Sequence, residues 1–238
     1  MRKDWTASRM TKKVPTTIKD QELVAQRRGE IIDVATRLFL ERGFHKTSIR
    51  DIARACPFNL ASLYMYVSSK EDILFLVAQQ LMEEKAKAME SVAISPNDPA
   101  GSLRKALAAY CRIVHRYRPH IRLLYRELDV LSPARREIVM ASLSTVTDVF
   151  EAIVAEGVKR GIFFNLEPKL VALNALFMCH LWSLHARALR SITQNIDEFS
   201  EMQSAILLDG LLKGEQAKTA ASKRRRAARL AGAVSALS

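Results

Sequence analysis

Tyr64, Tyr66 and Lys70 fall within a stretch of seven residues. Two phenolic hydroxyls and an ammonium at that spacing suit the holding of phosphate, helped by the free N–H groups that open a helix. Such contacts seat a protein on a polyanion without reading its sequence. The ring of Tyr64 could instead pack in a core, and the residues alone leave that open. Chemistry of other kinds is poorly represented. There is no Gly-rich phosphate loop, no G-x-S-x-G and no H-E-x-x-H, so no catalytic residue is assigned and no enzyme is expected. His115/His120 and His180/His185 are each five apart, whereas ligands on one helix face stand three or four apart, and Pro119 interrupts the first pair. No metal and no cofactor is expected, and the four histidines read as packing or surface residues.

The elements that must position Tyr64, Tyr66 and Lys70 are helical. Hydrophobic residues make up 49% of the 238, while Gly (8) and Pro (7) are too scarce for the turns of a β fold of this length. Ile31, Ala35, Leu38 and Phe39 form one stripe of a first helix that starts near Asp20 and ends at Gly43, free to take positive φ. Thr47-Ser48 caps a second, short helix that Cys56-Pro57 stops, and Asn59 caps a third that runs to about Val67. Ser68 with Glu71 predicts a capping box opening a long fourth helix to about Ser91. The two-proline stretch Ser95-Pro96-Asn97-Asp98-Pro99 reads as a hinge. Further helices are expected over 98–117, 119–131, 132–161, 168–190 and 195–212, the last opened by a second capping box, Asn195 with Glu198. That makes nine helices and no strand, an all-α chain.

Short helices followed by a long one give the geometry of a helix-turn-helix, with 48–55 and 59–67 as the crossed pair. Residues 31–74 carry Ala35, Leu38-Phe39, Gly43-Phe44, Thr47-Ser48, Asp51-Ile52-Ala53, Leu63-Tyr64, Tyr66, Lys70-Glu71 and Leu74 at offsets that resemble the N-terminal signature of the TetR/AcrR transcriptional regulators. The resemblance implies an N-terminal three-helix DNA-binding domain over 20–70 and a larger helical domain over 71–214 for effector binding and dimerisation. They would be flanked by a flexible basic arm (1–19) and a basic, disordered tail (215–238). It implies that Tyr66 and Lys70 hold the duplex backbone. Thr47, Ser48, Ser62 and Tyr64 are further candidates for the interface. By helical position, Arg50, Asn59, Leu60, Ala61 and Met65 would face base edges, with Arg50 able to pair bidentately with guanine. Pro57 departs from the family, which usually has glycine in this turn, and leaves the angle of the recognition helix open.

Residues 98–212 resemble the family in layout only. The helix around 169–190 carries two apolar stripes, Leu170/Leu173/Phe177/Leu181/Leu184 and Val171/Ala175/Met178/Trp182/Leu189. A helix apolar on both sides must be covered on both. One side would face its own subunit and the other a partner copy, joined by Phe199, Met202, Ile206, Leu207 and Leu211 of the last helix. Seven arginines between 112 and 136 (Arg112, Arg116, Arg118, Arg122, Arg126, Arg135, Arg136) stand against Glu127 and Asp129 alone. Like charges at i, i+4 destabilise a helix unless an anion is near. An effector such as an acyl-CoA thioester, or another large anion with an apolar part, would fit. An uncharged or cationic hydrophobic effector, an arginine face paired to acids elsewhere, or a helical interaction module without ligand remain alternatives. Candidate pocket residues are Tyr110, Arg122, Tyr125, Arg126, Met178, Trp182 and His185.

The net charge of +12 sits at the ends: +5 over residues 1–28, +6 over 213–238 and +1 between them. Basic ends suit double-stranded DNA as a partner. Cys56, Cys111 and Cys179 lie far apart in sequence and do not read as a disulfide or zinc framework. No membrane-spanning run and no secretory segment are read, so cytoplasmic residence is expected. The expected function is a regulator, a repressor in sense, that binds a near-palindromic operator as a homodimer. A small-molecule effector would release it by tilting the fourth helix.

Overall fold

The computed structural model describes residues 14–212. Among these residues there are eleven α-helices and no strand: α1 (Gln21–Arg42), α2 (Ile49–Ala55), α3 (Leu60–Tyr64), α4 (Lys70–Glu90), α5 (Pro99–Arg116), α6 (Arg118–Glu127), α7 (Pro133–Ala141), α8 (Ser144–Lys159), α9 (Pro168–Leu184), α10 (Ala186–Leu189) and α11 (Ile196–Leu211). The expected tail over 215–238, and residues 1–13 of the arm, lie outside the described residues.

Helix ends follow local chemistry. Asp20 caps α1 by accepting from the N–H groups of Glu22 and Leu23, and Gly43 ends it at φ +89°. With ψ at 150°, Gly43 is extended rather than left-handed helical, a region open to glycine. Ser48 and Asp51 form a reciprocal capping box on α2. The box expected from Ser68 and Glu71 is displaced by one residue. Ser69 caps α4 by accepting from the Asp72 N–H, and the Asp72 carboxylate accepts from the Ser68 N–H. Glu71 is thereby freed to accept from the Ser132 N–H at the start of α7.

Two expected long helices are broken. The run 132–161 divides into α7 and α8, with Ser142 and Ser144 donating their hydroxyls back to the Val139 and Ala141 carbonyls. The run 168–190 divides at His185, whose ψ of 33° departs from the helix. The box on α11 is also altered: Asn195 accepts from the Asp197 and Glu198 N–H groups, but the Glu198 carboxylate takes the Thr193 hydroxyl instead of the Asn195 N–H.

By length and composition Pro133–Lys159 is apolar enough to cross a membrane, contrary to the sequence reading. Burial of Val146, Phe150, Ile153 and Val154 of α8 in the core accounts for part of that apolarity. That core is continuous from the α1–α4 head to the body. In the body, α5 packs against α4, α8, α9 and α11. α4 touches α1 in the head and α5, α6, α7 and α8 in the body, and α1 also packs against α6, so both helices join the two halves.

Candidate nucleic-acid interface and effector chamber

The α2–α3 pair forms without a positive-φ residue in its turn. Cys56, held extended before Pro57, turns the chain, and Phe58 fills the corner beside Tyr66 with the Arg27 guanidinium over its ring. Proline is therefore compatible with the turn. α3 itself is shorter than expected, ending at Tyr64.

Ser48, Arg50, Asn59, Ala61, Tyr64 and Met65 are exposed on this pair, and Leu60 and Ser62 are partly so. Asn59 is also the α3 cap, its side-chain oxygen accepting from the Ser62 N–H. Tyr64, for which core packing stood open, is half exposed. Two candidates are placed differently from the expectation. Thr47 is buried, and its hydroxyl donates to the Gly43 carbonyl, so it secures the α1–α2 corner and does not present its hydroxyl to a ligand. Tyr66 is 6% exposed. Lys70 lies at the first position of α4. Its ammonium sits over the Phe44 ring and donates to the Phe44 carbonyl, 2.8 Å away. Burial lowers its pKa.

Sequence reasoning missed Arg28. Its guanidinium donates to the carbonyls of Val14, Pro15 and Tyr66, and Thr16 donates to the Met65 carbonyl. The described end of the basic arm is thus pinned beside the last residues of the recognition segment. An arginine on the first helix carries no sequence signal of such a reach.

The effector candidates divide into two groups. Tyr110, fully buried on α5, and Tyr125 of α6 each lie 2.7 Å from a ring nitrogen of His180 on α9. Burial, with Lys85 nearby, pulls the pKa of His180 down to about 3. Lys85 of α4 is 5% exposed and forms no ion pair among the described residues. Its pKa is pulled down to about 8 by burial. Both His180 and Lys85 were missed. Lys85 had a signal, since it interrupts the apolar stripe Leu74, Ala78, Leu81, Met89 of α4. Cys111 and Cys179, distant in sequence, meet in the same core as free thiols, and this contact, together with burial, raises the Cys179 pKa.

The second group surrounds a cavity of about 210 Å³ lined by His115, Arg118, Trp182, Ala186, Leu189, Arg190, Thr193 and Gln194. Trp182 was a candidate and lies here. Arg122, Arg126 and His185 are exposed, Arg126 pairs with Glu127, and Met178 is half buried, so these four do not converge on one chamber. Most of the arginine cluster is paired. Arg112 meets Asp197, Arg136 meets Asp129, and Arg135 bridges Glu71 and Asp72 at the N-terminus of α4. Arg116, Arg118 and Arg122 form no ion pair among the described residues.

Known proteins match this arrangement at both ends. Residues 31–77 match the family described as bacterial regulatory proteins, tetR family, and residues 96–184 match the tetracyclin repressor-like C-terminal domain. The HTH-type transcriptional regulator HbdR of Aromatoleum sp. (strain CIB) is 28% identical over 171 residues, 72% of this chain and 75% of that one. The TetR family transcriptional regulator PfmR from Thermus thermophilus superposes with a TM-score of 0.67 at 26% identity, covering 77% of this chain and 99% of that one. AibR, solved in complex with isovaleryl coenzyme A and operator DNA, shares the fold, with a TM-score of 0.63 at 22% identity over 76% of this chain and 98% of that one. The chain belongs to the TetR family and is a DNA-binding transcriptional regulator.

Proposed function

We propose that the chain acts in the cytoplasm as a homodimeric repressor that seats two α2–α3 heads on a near-palindromic operator and lets go when an anionic, part-apolar effector such as an acyl-CoA thioester enters the body. The supporting observation is an uncovered apolar face. Leu170, Phe177 and Leu181 of α9 and Met202 and Ile206 of α11 are exposed on two helices that pack together. These are the outward stripe of α9 and part of the α11 set that the sequence assigned to a partner. A patch of this kind on a soluble chain marks an association surface. A two-fold pair of heads then asks for a two-fold operator.

In each head, Ser48, Arg50, Asn59, Leu60, Ala61, Ser62, Tyr64 and Met65 face the duplex, with Lys70 and the hydroxyl tip of the otherwise buried Tyr66 on its backbone. The body buries Lys85, Tyr110 and His180 among apolar side chains, with Tyr125 hydrogen-bonded to His180. Among the described residues Lys85 lacks the ion pair that an anionic partner would supply. α4 carries Lys85 at one end and Lys70 at the other. An effector that draws Lys85 toward itself therefore moves the element that sets the head, and binding of effector and operator oppose each other reciprocally. The complex of AibR with isovaleryl coenzyme A and operator DNA supports this ligand class by analogy of fold.

Fluorescence anisotropy on a duplex from the gene's own upstream region tests the reading. Octanoyl-CoA is expected to release the duplex. The Tyr66→Phe/Lys70→Ala variant is expected to weaken binding to all duplexes alike and to flatten its salt dependence. Release by no acyl-CoA of any chain length removes this effector class, and unchanged affinity in the variant removes the backbone role of Tyr66 and Lys70.

A further inference from the structure

The cavity beside Trp182 has features that the core of a helical body does not need. Arg118 opens α6, and its Nε–H is buried without a hydrogen-bond partner. Burial depresses its pKa, helped by the neighbouring charges of Arg122 and Arg190. None of the three arginines forms an ion pair among the described residues. An orphaned buried donor with two further like charges nearby is an arrangement that costs stability.

The remaining lining points the same way. His115 accepts the Trp182 indole N–H at Nδ1, 2.9 Å away, so a neutral His115 carries its proton on Nε2 and is a donor there. No side chain caps α6, so the positive end of that ten-residue helix is unanswered. Gln194 adds an amide. The nearby acid, Glu198, takes the Thr193 hydroxyl, so it is engaged within its own turn. Neither the orphaned Nε–H nor the open helix end was visible in sequence. Of the arginines without an ion pair among the described residues, Arg118 and Arg190 are the two that line this cavity.

We propose that this cavity is a phosphoanion subsite, in which Arg118 and Arg190, with the His115 Nε2–H and the α6 N-terminus, hold a phosphate or pyrophosphate group. The inference rests on the reading that the body takes an anionic effector, and gives that effector a phosphorylated part, distinct from whatever meets Lys85 and His180. Two arginines with planar donor sets in a partly enclosed cavity suit a phosphate, whose several oxygens can engage both guanidinium groups at once.

The test uses the full chain and three probes, inorganic pyrophosphate, coenzyme A and sodium octanoate, by calorimetric titration and thermal unfolding. Pyrophosphate and coenzyme A are expected to bind and to raise the unfolding temperature. Arg118→Met and Arg190→Gln are each expected to weaken both by about tenfold while leaving duplex affinity unchanged. Arg118→Met without ligand should be at least as stable as the parent, because it removes an orphaned donor and a like charge. Should Arg118→Met fail to fold, Arg190→Gln, an exposed position, carries the test alone. Equal binding of pyrophosphate by parent and variants, or binding of neither pyrophosphate nor coenzyme A by the parent, overturns the subsite. Failure of the broader effector reading looks different: coenzyme A binds, the variants lose it, and octanoyl-CoA still leaves the duplex bound. Octanoate binding that is insensitive to both substitutions places the apolar part elsewhere, as the subsite requires.

Discussion

The α2–α3 pair and the body of this regulator treat polar groups in opposite ways. Around α2 and α3 the polar groups answer one another: Ser48 with Asp51, Thr47 with the Gly43 carbonyl, Asn59 with the Ser62 N–H, Arg28 with three carbonyls. In the body, Lys85 lies buried without an ion pair among the described residues, and Arg118 Nε and His120 Nδ1 lack partners. A surface that must present the same donors to every operator gains from internal satisfaction, because its shape is set before it binds. A chamber that must change with a ligand gains from polar groups that only the ligand satisfies. The difference between the halves is thus one between a preformed reader and a body held short of its most stable packing.

The largest effect is expected where the body is incomplete without a second copy. Phe177→Asp with Ile206→Asp places two charges in the uncovered α9–α11 face. Light scattering should show a monomer, and operator affinity should fall by about 10²–10⁴-fold, the gain that linking two heads confers. The same variant should keep its unfolding transition, since both side chains are exposed in the single chain. A dimer that survives both substitutions moves the interface off these helices.

A smaller effect, inside the body, concerns Lys85. Its pKa falls from 10.5 to about 8 on folding. Below about pH 8 both states hold the proton and the folded state bears the unpaired ammonium at full penalty. Between about 8 and 10.5 the unfolded state holds the proton and the folded state does not, so stability rises with pH. The shift corresponds to about 3 kcal/mol across that window. Urea denaturation should show this rise in the parent and a flatter profile in Lys85→Met, which should also be the more stable protein at pH 7. A less stable Lys85→Met at pH 7 breaks the contrast between halves, because the lysine would then be serving the fold.

The same contrast explains what was legible in the sequence. Caps and stops are local, so Asp20, Ser48, Asn59 and Pro99 marked their helices correctly, and the spacing of Ile31, Ala35, Leu38 and Phe39 located the core face of α1. The one-residue shift from Ser68 to Ser69 turns on which carboxylate is free, and Glu71 is drawn away by Ser132, 61 residues further on. The breaks at Ser142 and His185 arise from local back-bonding and backbone angles that propensity does not price. In the body, Tyr110, Tyr125 and Trp182 were identified by type, but their partners His180 and His115 come from other helices. Only the packing of α5, α6 and α9 brings these together. Thr47 shows the converse, a residue at the right place in the motif whose hydroxyl is turned inward by the corner it secures.

The smallest expected effect is in the head and separates two roles of one exposed serine. Ser48 caps α2, and its hydrogen bonds to Asp51 hold that carboxylate below its usual pKa. Ser48→Ala should lower stability by about 1 kcal/mol, as loss of an N-cap does. Ser48→Asn caps as well as serine but lacks the hydroxyl, and should restore the stability. Operator affinity then discriminates. If the serine acts only by holding α2, affinity recovers in Ser48→Asn along with stability. If its hydroxyl also meets the duplex, affinity stays low in Ser48→Asn and returns in Ser48→Thr, which keeps both cap and hydroxyl. A preformed reader predicts that the stability change and the affinity change can be separated in this way. A head that orders only on DNA would tie them together, because each increment lost from the cap would reappear in the binding energy.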